Sequence, residues 1–119
     1  MHLPEGDVLV ATFELDGQEI MLWNGGPHQK LTPAFSLSVS CEDQAEVDYF
    51  WDKLVEGGKE VQCAWLKDKF CVSWQIVPKL MVQLMHDPDK IKVARVMQAM
   101  MQMVKLDCEK LQAAYDWCD

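Results

Sequence analysis

No stretch of this 119-residue chain is long and apolar enough to cross a bilayer, and the N-terminal MHLPEGD lacks the basic-then-apolar pattern of a secretory signal. Those two absences exclude a membrane span and make the cytoplasm the expected compartment. The five cysteines, Cys41, Cys63, Cys71, Cys108 and Cys118, show no CxxC and no Cys/His spacing of a zinc site, so in a reducing compartment they are expected to be thiols. Basic residues are also few. Eleven Lys and Arg stand against nineteen Asp and Glu, a formal net charge of −8, which opposes nucleic-acid binding because phosphate neutralisation supplies most of that affinity. The six glycines form no GxGxG turn, and there is no internal repeat or low-complexity tract. What is present fits one domain: half the residues are apolar and a quarter charged, and a chain of this size buries roughly two-thirds of its unfolded surface.

Periodicity organises the chain. Residues 7–24 predict a β-hairpin, with VLVATFEL and QEIMLWN flanking Asp16-Gly17, a pair that tolerates positive φ. Asn24-Gly25-Gly26-Pro27 then opens a polar connection. The segment FSLSVSC alternates throughout, with Phe35, Leu37, Val39 and Cys41 on one face and Ser36, Ser38 and Ser40 on the other. An amphipathic helix of about three to four turns follows. Asp43 is its candidate N-cap, Glu46 completes a capping-box-like pair, and Gly57-Gly58 stops it. Lys59–Leu66 and Val72–Val77 read as two strands around Lys67-Asp68-Lys69, the second with Trp74 and Ile76 on one face and Ser73 and Gln75 on the other. Asp68 is expected to cap or pair locally in that turn. After LMVQLM, Asp87-Pro88 reads as an N-cap and first-turn pair, and two or three helices are expected, with Met97, Met100, Met101 and Met103 as core filler.

Several of these motifs in order, GDVLVATFELDGQEIMLWNGG, LTPAFSLSVSCEDQAEVDYFWDKL and WLKDKFCVSWQIVP, resemble the PhnB-like branch of the vicinal-oxygen-chelate superfamily. That family is often labelled 3-demethylubiquinone-9 3-methyltransferase-like. The resemblance implies an α+β fold of βαβββ modules, here with an incomplete first module and C-terminal helices. It divides the single domain 1–119 into a hairpin (7–24), a βαββ unit (35–77) and a helical tail (79–119). It also implies helices on the outer side of the sheet and a ligand cavity on the inner side. Phe35, Leu37 and Val39 should then pack against the 43–56 helix, while Ser36, Ser38, Ser73 and Gln75 face the cavity. A second chain completing the short first module makes a homodimer the expected assembly. Ala64 and Cys71 stand where the family has glycine. If Cys71 adopts positive φ, the strain is on the order of 1 kcal/mol.

Chemistry is less well supplied. Metal-dependent superfamily members place His or Gln on the first strand of a module and Glu on its last; here Ala34, Ser36 and Ser38 hold the first positions and Gln75 the last, a poor set for a divalent ion. His2, His28 and His86 are isolated in loop or terminal contexts. A methyl donor of the adenosylmethionine type would need a glycine-rich turn that is missing, so methyl transfer is not expected. Cys63 as a nucleophile would need a base that the pattern does not place. No catalytic residue, metal or cofactor is therefore assigned. The expected function is binding of an unknown small molecule by Trp23, Ser36, Ser38, Cys63, Trp65, Ser73 and Gln75, mixing aromatic surface with polar orienting groups. A metal-dependent lyase, isomerase or dioxygenase is the alternative, and a structural interaction module is a third reading.

Overall fold

In a computed structural model, which describes residues 6–118, the chain divides into two units, residues 1–30 and 31–119. The first is a two-stranded antiparallel hairpin, β1 (Val10–Leu15) and β2 (Gln18–Trp23). Asp16 and Gly17 take φ of 49° and 81°, the paired left-handed conformation that matches hairpin twist. Asn24 extends the pairing by donating its backbone N–H to Leu9 O at 2.8 Å and its side-chain amide to Val8 O at 3.2 Å.

The second unit holds a four-stranded sheet in the order β3-β6-β5-β4, formed by β3 (Leu37–Cys41), β4 (Lys59–Glu60), β5 (Trp65–Lys67) and β6 (Ser73–Pro78). β3 and β6 are parallel; β5 runs antiparallel to both its neighbours. The connection from β3 to β6 runs through α1 (Gln44–Val55), β4 and β5; α1 is started by Asp43, whose Oδ1 accepts the Glu46 N–H at 3.0 Å. The Glu46 carboxylate reaches back to the backbone N–H of Glu42 at 3.0 Å, closing the expected box one residue early. Gly57 at φ 74° ends the helix. Next to it, a Cβ on Gly58 would lie 2.0 Å from Lys67 O, so only glycine lets the chain pass there.

α1 lays Val47 and Trp51 on Cys41, Leu66 and Ile76, with Val39 and Trp74 at the margin. Trp51 is 2% exposed, and burying a side chain of that size contributes on the order of 3 kcal/mol. The sheet's helix side is thus the apolar side expected for Val39, Trp74 and Ile76. Phe35 is a correction: it precedes β3 and is 63% exposed, because regular strand geometry begins only at Leu37.

The expected 59–66 strand is also corrected. Cys63 and Ala64 take φ of 60° and 77°, which reverses the chain and splits the segment into β4 and β5, paired antiparallel. Their N–H groups donate to Met103 O and Val104 O, each at 2.9 Å, so the reversal is held by the C-terminal third of the chain.

Three helices follow: α2 (Lys79–Met85), α3 (Lys90–Met101) and α4 (Cys108–Asp116). They bury Met81, Leu84, Val96, Leu106 and Leu111 around Ala64, with Val77 of β6 packed against them. The N-cap of α3 is Asp89, whose Oδ1 accepts from Ile91 and Lys92; Asp87 lies upstream and accepts the Asp89 N–H. The helix therefore begins two residues later than Asp87-Pro88 suggests. Met100 and Met103 pack on this core, whereas Met97 and Met101 are exposed. No helix among the described residues is long and apolar enough to cross a membrane.

Candidate functional site

The side of the four-stranded sheet opposite α1 gathers most of the residues that the sequence nominates. In register, Trp65 of β5 stands opposite Gln75 of β6, and Gln75 opposite Ser38 of β3. Their neighbours Leu66, Ile76 and Val39 pack toward α1, and strand alternation turns the three side chains the other way. Gln75 Nε2 donates to Ser36 Oγ at 3.0 Å, which orients the amide and leaves its carbonyl oxygen without a protein donor among the described residues. Ser73, 5% exposed, lies in register with Lys67 on the same side. Trp65, Gln75 and Ser36 are half-buried and Ser38 is exposed.

One nominated residue of this unit lies elsewhere. Cys63 sits in the chain reversal against the C-terminal segment, its thiol 3.9 Å from Met101 O. Trp23 belongs to the hairpin unit, opposite Val10; the residue is 64% exposed and its Nε1 lies 3.1 Å from Met21 Sδ.

Asp68 organises the turn beside the site, as expected. Its Oδ1 accepts from the backbone N–H of Phe70 and Val72, at 2.8 and 3.0 Å, and its Oδ2 accepts from Trp74 Nε1 at 2.9 Å. Cys71 in that turn has φ 71°, so both positions that depart from the glycine pattern, Ala64 and Cys71, occupy the left-handed region.

The residues present do not fit a divalent metal. Ser36, Ser38 and Gln75 offer only neutral oxygens, and no three His, Cys, Asp or Glu side chains are grouped to hold an ion among the described residues. His86 Nδ1 lies 2.7 Å from Val82 O at the end of α2, His28 is exposed in a loop, and His2 lies outside the described residues. An adenosylmethionine-type cofactor fits no better. Gly25-Gly26 follow β2 but lead to Pro27 without opening a helix, and Gly57-Gly58 close one.

A groove of about 850 Å³, invisible in the sequence, lies between α1, β4 and residues 102–110. Gln44 spans its wall: Nε2 donates to Asp48 Oδ1 and Leu106 O, both at 3.0 Å, and Oε1 accepts the Cys108 N–H at 2.7 Å. Asp48 also pairs with Lys105 at 2.9 Å. The Gln44 bond, then Lys105, holds the Asp48 carboxyl below its ordinary range, while burial pushes the Cys108 thiol up. These polar groups satisfy one another, so the groove is a structural junction. The approach of Lys59 to Lys67, paired across β4 and β5, is likewise unmarked in the sequence, because the reversal at Cys63-Ala64 has no glycine to signal it.

The family model for 3-demethylubiquinone-9 3-methyltransferase matches residues 1–77. Among solved structures, the chain is similar to a PhnB protein of the 3-demethylubiquinone-9 3-methyltransferase type from Bacillus cereus, at 37% identity and a TM-score of 0.57, covering 63% of this chain and 67% of that one. It is also similar to protein PA1353 from Pseudomonas aeruginosa, at 19% identity and a TM-score of 0.49, covering 60% of this chain and 62% of that one. Nothing among the curated proteins matches. With nearly two-thirds of its length matched, including Ser36 and the strands that carry Ser38, Trp65 and Gln75, the chain belongs to the PhnB-like 3-demethylubiquinone-9 3-methyltransferase family.

Proposed function

We propose that this protein binds a small organic molecule on the sheet face opposite α1, without a catalytic metal and without methyl transfer. The observation that carries this reading is the alignment of Trp65, Gln75 and Ser38 across three strands, with Gln75 oriented by Ser36. An indole supplies apolar contact area, and an amide carbonyl and hydroxyls supply directional groups, the combination that small-molecule sites use. The neutral donor set argues against metal-assisted chemistry at this face. The methyltransferase label of the family is not carried over, since the glycine turns do not suit the cofactor such a reaction uses.

The working assembly in this proposal is a homodimer. Both faces of the hairpin carry apolar side chains, with Phe13 and Leu15 on one and Met21 and Trp23 on the other, and these are 38–64% exposed. A two-stranded ribbon is marginal in water, and a second copy would cover these surfaces. A monomer in size-exclusion chromatography with light scattering at micromolar concentration would remove this part of the proposal.

A thermal-shift screen with small metabolites tests the binding reading. A compound that raises the midpoint in a dose-dependent way with wild type, and much less with Gln75→Ala, is the expected result. Stoichiometric metal retained after chelator-free purification and lost in Gln75→Ala would replace this reading with a metal-dependent one.

A further inference from the structure

We propose that the ligand of this sheet face is an anionic molecule with a flat apolar part, its acidic group seated on Lys59 and Lys67 and its ring against Trp65. This rests on the binding role proposed above for the face and adds the chemical class of the ligand.

Lys59 of β4 and Lys67 of β5 are direct cross-strand partners. Like charges placed opposite one another destabilise a sheet, and the chain has cations to spare for few such contacts, since its net charge is −8. Both lysines project to the side away from α1. Glu60, beside Lys59, accepts from Trp51 Nε1 of α1 at 3.1 Å, and Leu66, beside Lys67, is buried under that helix. The salt bridges among the described residues join Lys79 to Glu42 and Lys105 to Asp48, so neither lysine of the pair has a carboxylate partner.

The nearby acids are engaged elsewhere: Glu60 by Trp51, and Asp68 by the turn and Trp74. The other groups on this face, Ser36, Ser38, Ser73 and Gln75, are neutral. Two lysines paired across β4 and β5 without a carboxylate partner among the described residues, with the Ser73 hydroxyl in register beside Lys67, form a seat for a carboxylate or phosphate.

The apolar half of the ligand follows from the strand spacing. Trp65 is two residues from Lys67 on the same face of β5, about 7 Å along the strand. That separation suits an aromatic ring bearing one acidic group. Lys67 and Trp65 are both half-buried, which strengthens a charge contact relative to one in open water.

The full chain should be titrated with phenyl phosphate, benzoate, phenol and inorganic phosphate at fixed ionic strength, followed by tryptophan fluorescence and calorimetry. We expect saturable binding of phenyl phosphate or benzoate at least tenfold tighter than phenol, and the tighter acid identifies the headgroup. In Lys59→Gln/Lys67→Gln, affinity for the acids should fall to that of phenol, while Lys53→Gln on α1 should bind as wild type. Without ligand, the double variant should melt no lower than wild type, because it removes a repulsion; the single variant Lys59→Gln gives an independent reading of the same loss.

Phenol binding as tightly as the acids, or acid affinity within twofold of wild type in the double variant, would overturn the proposal. If that binding is nevertheless lost in Gln75→Ala, the ligand face stands and only the anion seat falls. Absence of saturable binding by any of the arenes would overturn the anionic-arene assignment, and a neutral metabolite that still shifts the melting midpoint would leave the binding face intact.

Discussion

The indole N–H of Trp74 donates to Asp68 Oδ2 at 2.9 Å, and this bond ties the apolar side of β6 to the turn that precedes it. The same carboxylate accepts two backbone N–H groups, so three donors converge on one side chain. Asp68→Ala should therefore destabilise the protein by about 2–4 kcal/mol, a loss of several charge-assisted bonds with partial rehydration of the donors. Asp68→Asn, which keeps one acceptor, should lose less. Urea unfolding of the two variants checks the order.

Backbone strain predicts a change in the opposite direction. Cys71 has φ 71° and an exposed side chain, so Cys71→Gly removes the strain without opening a cavity. The gain should be about 1 kcal/mol. Ala64 has similar φ, but its methyl is buried in the helical core, and Ala64→Gly should gain less. An unchanged or lower melting temperature for Cys71→Gly would refute the strain argument.

The contact between Gly58 and β5 should be unforgiving. Gly58→Ala places a methyl against Lys67 O and the Asp68 backbone, and separating the two segments should cost more than about 2 kcal/mol. Gly25→Ala, with nothing within 4 Å of the added carbon, is the matched control and should be close to neutral. Thermal melts of the pair measure the difference.

The Tyr115 hydroxyl donates to Asp87 Oδ2 at 2.5 Å and gives stability a two-sided pH dependence. That bond, and then the Asp89 N–H, holds the Asp87 carboxyl below its ordinary value of 3.8, while the same bond raises the tyrosine above 10.0. A depressed carboxyl contributes stability above its unfolded pKa and loses it as pH falls through the folded one. A raised tyrosine contributes below its unfolded pKa and loses it as pH rises through the folded one. Tyr115→Phe should therefore melt below wild type between about pH 4 and pH 10, with the gap closing at either extreme. Melting curves across pH check this.

Thiol reactivity should separate the cysteines by position. Burial, then the Glu46 charge, pushes the Cys41 thiol up to about 11, and the side chain is inaccessible. Iodoacetamide at pH 8 should label the exposed Cys71 and Cys118 well before Cys41. Peptide mass spectrometry over time gives the order.

The order of elements was legible wherever local pattern and packing agree. Serine alternation in FSLSVSC places Ser36 and Ser38 opposite Val39 and Cys41, the Asp43/Glu46 pair starts α1, and Asp16-Gly17 turns the hairpin. Each signal is local, set by strand alternation or by a side chain reaching a backbone N–H a few residues away. Phe35 misled because alternation alone does not say where a strand begins.

What only the tertiary structure decided is the reversal at Cys63-Ala64. No turn residue announces it, and it exists because Met103 O and Val104 O, some forty residues on, receive the two N–H groups that a left-handed pair presents. That long-range contact breaks the 59–66 segment, folds β4 back on β5, and so sets Lys59 opposite Lys67 beside Trp65. The sequence by itself determined which residues share the polar face, through a two-residue period. Which charges meet on that face depended on hydrogen bonds made across the fold.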